Sequence, residues 1–196
     1  MPRVTLERRE ARKGTILHAA RRVFVEKGLH GATTHDIARA AGVPVGTIYT
    51  WFANKDELIR ASVLAANKEE TDAVVRDVGA AGGNFRERFS RAIAGWYDFT
   101  IAAPGVPEFL AEVWAEATRK PLIRDIVVRR RERIVTTASL VLAEGIAAGE
   151  VPPDTDVGTT ARALANLLDG IVLERLEGVA IDRAEVERRA LLLLRS

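Results

Sequence analysis

The sequence predicts an all-α protein, with an N-terminal three-helix bundle containing a helix-turn-helix and a larger C-terminal helical domain. Three observations carry this expectation. Apolar residues recur at helical spacing along most of the chain, and no stretch alternates with the period of a strand. Glycine and proline fall between these segments, next to residues that cap helix ends. Residues 33–55, TTHDIARAAGVPVGTIYTWFANK, read as two short helices joined by a tight turn.

The first helix is expected over about 7–28, with Ile16, Leu17, Ala20, Val23 and Phe24 on its apolar line and Gly28 at its end. Thr33 and Thr34 can accept from the free N–H groups that open a second helix. Ile37, Ala38 and Ala41 then follow at helical spacing. Gly42 suits the stop, where the backbone must turn. Pro44 can open the third helix because no N–H is needed there. Ile48 and Phe52, four apart, point to a core and leave Thr47, Tyr49, Thr50 and Trp51 outward. A short helix with hydroxyl and aromatic groups outward, braced by another, is the geometry of a helix-turn-helix DNA reader.

Asn54 can cap a fourth helix, with Asp56 and Glu57 in its positive first turn. That helix runs through Leu58, Ile59, Val63 and Leu64, with Val74, Val75 and Val78 expected against the body. Ala80-Ala81-Gly82-Gly83 breaks it, and Asn84 caps a fifth helix over about 84–102. Phe85, Phe89, Ile93, Trp96 and Thr100 form its stripe, with Phe99 beside it. Pro104-Gly105 and Pro107 precede a sixth helix (about 107–118) carrying Phe109, Leu110, Val113 and Trp114. A seventh (about 120–148) starts at Pro121 and ends near Gly149. After Val151-Pro152-Pro153, one of Asp154, Thr155 or Asp156 caps an eighth that runs to about 177, where Gly178 stops it. Asp182 caps a ninth, which ends in Leu191–Leu194. The functional boundary is placed near residue 60, giving domains 1–60 and 61–196.

Composition narrows the function classes. With 47% apolar residues the chain has enough for a core and too many for disorder. No run approaches the roughly 18 apolar residues of a membrane span. The start, MPRVTLERRE, lacks the apolar core of a secretory signal. Absent cysteine removes disulfides, thiolate catalysis and Cys-based zinc sites. A cytoplasmic protein with no membrane partner and no cofactor is expected. Residues 1–55 hold ten Lys/Arg and four Asp/Glu (+6), and the rest nineteen and twenty-three (−4). A basic end on a near-neutral body fits phosphate contact at that end.

The motif Ile37-Ala38, Ala41-Gly42-Val43, Gly46-Thr47-Ile48-Tyr49, Phe52 and Lys55-Asp56-Glu57-Leu58 resembles the N-terminal signature of the TetR/AcrR transcriptional regulators. Ile16-Leu17, Ala20, Phe24 and Gly28 resemble that family's first helix. The likeness is tight over about the first 60 residues. It implies DNA contact by Thr34, Pro44, Val45, Gly46, Thr47, Tyr49, Thr50, Trp51 and Lys55. Thr34 and Lys55 would meet phosphates at helix N-termini, where free N–H groups and the dipole suit anions. Gly46 would let the backbone come close to the groove, and Thr47 and Thr50 would reach base edges or thymine methyls. Many members have Ser and a basic residue where this chain has Pro44 and Val45, which implies apolar contact there. Trp51 has two readings: stacking on sugar–phosphate, or packing beside Phe52 and the first helix. Arg8, Arg9, Arg12 and Lys13 likewise suit either DNA contact or a solvated terminus.

For residues 61–196 two jobs remain, dimerisation and ligand binding. Ala161, Leu164, Ala165, Leu168, Ile171 and Val172 on the eighth helix, with Leu191 and Leu194 on the ninth, suit either a homodimer interface or the chain's own core. The resemblance implies a four-helix interface between two protomers. Trp96, Phe99, Phe109, Leu110 and Trp114 suit either ligand-pocket lining or core. Glu112 and Glu116, and Arg129, Arg130, Arg131 and Arg133, suit ion pairing or a solvated face better than a ligand clamp. His18, His30 and His35 accompany no nucleophile or carboxylate pair, and no metal or phosphate-loop motif is present, so an enzyme is not expected. The expected partners are a double-stranded DNA operator and a small-molecule effector. The expected function is a repressor released from a palindrome by a largely apolar effector. The competing class is a helical adaptor or ligand carrier without DNA.

Overall fold

The protein's structure, a computed structural model, describes residues 6–79 and 83–194, with side chains described for 8–72 and 83–194. Among these residues the order is α1 (Leu6–Gly31), α2 (Thr34–Ala41), α3 (Val45–Trp51), α4 (Lys55–Gly79), α5 (Phe85–Thr100), α6 (Val106–Ala117), α7 (Pro121–Ala147), α8 (Val157–Leu176) and α9 (Arg183–Leu192). The all-helical expectation holds. The packing expected of Val74, Val75 and Val78, and the break at Ala80-Ala81-Gly82, lie outside the described residues.

The chain divides into two compact units, Met1–Asn67 with Glu108–Ile126, and Lys68–Pro107 with Val127–Ser196. This differs from a division at residue 60, because α6 and the start of α7 belong with the N-terminal helices. The reason is polar as well as apolar. Gly28 interrupts α1 at φ 72°, ψ 161°, a left-handed φ that glycine adopts without a Cβ penalty. The freed Leu29 N–H donates to Glu112 of α6 at 3.1 Å. One helical turn further, the buried Glu116 carboxylate meets His30 Nε2 at 2.8 Å and Lys120 Nζ at 2.9 Å. Phe109 and Val113 close the same unit's core with Phe24 and Leu58.

Capping follows the sequence closely. Thr33 and Asp36 form a reciprocal capping box at α2, and Gly42 ends that helix at φ 66°. Asn54 Oδ1 accepts from Glu57 N at 2.9 Å, while Asn84, Asp156 and Asp182 cap α5, α8 and α9. Lys27 and Thr33 donate to the Asp36 carboxylate and hold it far below the ordinary carboxylate range.

In the second unit α5 and α8 pack on α9. The whole expected α5 stripe, Phe85, Phe89, Ile93, Trp96 and Thr100, is buried. Arg130 is buried with Glu70, which accepts from Nε at 2.8 Å and Nη2 at 2.5 Å. Desolvation would lower the guanidinium's pKa, but Glu70 and Asp169 outweigh it and raise it.

Gly145 in α7 marks a close approach of three segments. A Cβ there would lie 2.6 Å from Val151 Cγ2 and 2.7 Å from the Phe85 ring. Gly145→Ala is expected to cost about 1–3 kcal/mol through overpacking. That lowers the melting temperature by about 2–12 °C for a chain of this size. Gly14→Ala, where a Cβ meets nothing within 4 Å, should leave melting equal or higher. Calorimetry of the two variants checks this.

Candidate functional site

The α2–α3 hand owes its orientation to four buried residues. Ile37 and Ala38 on α2, and Ile48 and Phe52 at α3, are each 3% exposed or less. With those positions inward, the opposite face of α3 is solvent-facing. Pro44, Gly46, Tyr49 and Thr50 are exposed, and Thr34, Val45, Thr47, Trp51 and Lys55 are half-buried. None of the nine expected DNA-contact residues is buried. The Tyr49 and Thr34 hydroxyls lie 3.2 Å apart, so the start of α2 and the last turn of α3 present one hydroxyl cluster. The Thr50 hydroxyl donates to Gly46 O at 3.0 Å, which leaves its oxygen free to accept.

Two positions carry more than the sequence suggested. The Arg9 guanidinium sits 5.2 Å from the Trp51 ring centroid, a cation–π contact that ties α3 to α1. Trp51 thus meets the first helix through Arg9. Arg8 and Arg12 are exposed. Lys55 Nζ donates to His30 O at 2.7 Å. Burial and the nearby Lys120 charge lower its pKa, while Asp56 and Glu116 oppose them. Its ammonium has three donors, so two remain for a phosphate. Lys120 also pairs with Asp56 at 2.6 Å, joining α4 and α7 at their starts.

The second unit holds an apolar cavity of about 90 Å³, open on one side. Phe89, Ala92, Ile93 and Trp96 line it from α5, and Leu164 and Leu168 from α8. From α7 come Arg130, Arg133, Ile134, Thr137, Ala138 and Val141, and from α4 Glu70 and Thr71. Of the five residues proposed from sequence as lining, Trp96 is among these and Phe99, Phe109, Leu110 and Trp114 are not. The last three stand on α6 in the other unit, where Phe109 and Leu110 are core. Aromatic size drew attention to them, whereas a cavity forms where side chains are small, here Ala92, Thr137 and Ala138. The α7 set 130, 134, 137, 138, 141 is one helical face, a signal present in the sequence.

The expected interface residues on α8 also prove interior. Ala161, Leu164, Ala165, Leu168 and Val172 are 0–6% exposed within the single chain, with Leu164 and Leu168 facing the cavity. Leu194 is buried and Leu191 half-buried. The stripe is the chain's own core, because a wide apolar face is drawn first to its neighbours in the same chain. The large apolar side chains left outward on α8 and α9 are Leu173 (51% exposed) and Leu192 (58%).

The α3 geometry separates reading from folding. Thr47→Ala is expected to leave melting unchanged and to weaken specific DNA binding at least about fivefold, the low end for losing one base contact. Ile48→Ala should cost about 2–5 kcal/mol of stability through the cavity it leaves. Thermal melts and anisotropy titrations on the two proteins distinguish the roles. Equal destabilisation would mean the faces are misassigned.

Comparisons with known proteins agree with this geometry. The N-terminal model of the bacterial regulatory proteins of the tetR family matches residues 16–62. The C-terminal model of the BetI-type transcriptional repressors matches residues 85–195. The chain is similar to the HTH-type transcriptional regulator BetI of Burkholderia cenocepacia, 28% identical over 93% of this chain and 90% of that one. A transcriptional regulator of Saccharomonospora viridis, solved in complex with choline, has a similar structure. It is 25% identical with a TM-score of 0.78, covering 95% of this chain and 96% of that one. The regulator FadR of Bacillus subtilis, solved with stearoyl-CoA, shares the fold at 21% identity and a TM-score of 0.78 over 93% and 97% of the two chains. No helix among the described residues is long and apolar enough to cross a membrane. With its reading helix turned outward and both halves matched, the chain belongs to the TetR family of DNA-binding, non-enzymatic transcriptional regulators.

Proposed function

We propose that this protein is a cytoplasmic repressor that binds a palindromic operator as a homodimer and is released by a small, largely apolar effector. The observation that carries the reading is the outward face of α3, with Thr47, Tyr49 and Thr50 presented over a buried Ile48 and Phe52. Thr47 and Thr50 would reach base edges in the major groove, and Pro44 and Val45 thymine methyls. Thr34, Tyr49 and Lys55 would hold phosphates, and phosphate contact makes the affinity fall with salt.

One such helix covers too little DNA for useful specificity, and a two-fold pair reading two half-sites solves this. Family members typically act as dimers. The outward Leu173 and Leu192 of α8 and α9 support a partner surface on that side. The effector would occupy the cavity among Trp96, Ile93, Leu164 and Leu168. Helix α4 starts at Lys55 and supplies Glu70 and Thr71 to the cavity wall, so it is the element both sites can bias. The coupling required is modest, about 1–3 kcal/mol for a 5- to 150-fold change in affinity.

Light scattering of the purified protein should give twice the 21.4 kDa chain mass. The doubly substituted Leu173→Arg/Leu192→Arg protein should be monomeric, with an unchanged helical spectrum and no shift of the palindromic fragment selected by wild type. A wild-type monomer that still binds a palindrome tightly would overturn the dimer. A protein that neither binds heparin at low salt nor selects any DNA would be a helical carrier instead.

A further inference from the structure

We infer that the cavity in the second unit takes a small amphiphile with an anionic head: a short aliphatic body inside, and a carboxylate or similar acid at the rim against Arg133. The inference rests on the cavity being the effector site and adds the chemical class of the effector.

Charge accounting at the wall decides the class. Among the described residues Glu70 is the one carboxylate lining the cavity, and both its oxygens are occupied by Arg130, at 2.5 and 2.8 Å. That pair is buried, with side chains 6% and 10% exposed. Asp169 takes Arg131 Nη1 at 2.5 Å and stands 3.5 Å from Arg130 Nη1. Two guanidiniums and two carboxylates therefore cancel. A cationic ligand could recruit Glu70 only by stripping a buried Arg130 of its bidentate partner, which is strongly unfavourable.

Arg133 lies three residues beyond Arg130 on α7 and lines the same cavity. It is exposed, and among the described residues it makes no ion pair. Among the described residues the uncommitted charge at the cavity is thus positive. A planar guanidinium suits a two-oxygen anion. An alkylammonium offers Arg133 no acceptor oxygen, whereas a carboxylate offers two.

Size sets the body. A cavity of about 150 Å³ holds benzene, so one of about 90 Å³ holds roughly four carbon atoms. The walls that meet them are aliphatic, from Ile93, Ile134, Leu164 and Leu168. A four-carbon chain with its acid at the exposed Arg133 fits both limits.

The test uses three probes that share this body and differ in the head: pentanoate, pentan-1-ol and pentylammonium, titrated calorimetrically into the full-length protein. Pentanoate is expected to bind at least about tenfold more tightly than pentan-1-ol, as one charge-assisted pair provides, with pentylammonium weakest. Arg133→Gln should bring pentanoate to the level of the alcohol and leave the alcohol unchanged, and Arg133→Lys should keep part of the preference. Arg133 is exposed, so neither change threatens folding. Ala92→Leu and Ala138→Leu, tested separately so that either can serve, should reduce binding of all three probes. Tightest binding of pentylammonium, or an Arg133→Gln protein that keeps the carboxylate preference, would overturn the anionic class while the cavity reading stands. Binding of none of the probes, or binding indifferent to both cavity-filling variants, would overturn the cavity reading and the inference with it.

Discussion

The burial of Ile48 and Phe52 governs everything this protein can do to DNA. Helix α3 has only seven residues, far below the length at which a helix holds itself in water. It exists because these two side chains are locked into a core with Ile37 and Ala38 of α2. Packing on one side therefore fixes, by helical geometry alone, which residues face out on the other. Thr47, Tyr49 and Thr50 gain their positions from residues that never touch the ligand. The capping box of Thr33 with Asp36 and the left-handed Gly42 then set the angle between the two helices. Arg9 over Trp51, and Lys55 on the carbonyl of His30, brace the same hand from α1.

The second unit meets a different constraint. It buries an arginine, and a buried charge is tolerated only when paired and hydrogen-bonded. Glu70 supplies that pairing from α4, with Asp169 on α8 as a second acceptor. Three helices are thereby tied at one point beside an apolar cavity. The arrangement leaves the cavity's polar rim defined by whichever charge is not consumed, and among the described residues that charge is Arg133. Because α4 carries both Lys55 and Glu70, a change at the cavity has a continuous, hydrogen-bonded element through which to act.

The sequence was most legible where local chemistry decides structure. Caps at Thr33, Asn54, Asn84 and Asp182, and stops at Gly42 and Gly178, act over a few residues and so could be read directly. The outward face of α3 was legible for the same reason, since Ile48 and Phe52 sit on one side at a spacing of four. Long-range choices were not. Nothing local in Phe109 or Trp114 tells that α6 joins the N-terminal unit. That outcome depends on Glu112 and Glu116 meeting residues 29 and 30, more than eighty positions away. The α8 leucines were ambiguous between core and interface because both demand the same apolar stripe. Only the tertiary neighbours separate Leu168, which faces the cavity, from Leu173, which faces solvent. The cavity was hidden because it depends on small residues, and small residues carry the weakest sequence signal.

Hydroxyl-radical and methylation footprinting on an operator selected by the purified protein tests the central claim most directly. The claim is that α3 of each of two copies reads successive major grooves. It predicts two guanine-N7 or major-groove protections related by a dyad, their centres about 34–36 Å apart or a multiple of that, one DNA turn. In the Thr47→Ala protein the same base step should lose protection in both half-sites, with backbone protection retained. A single protected segment, protection confined to the minor groove, or a Thr47→Ala footprint identical to wild type would contradict it.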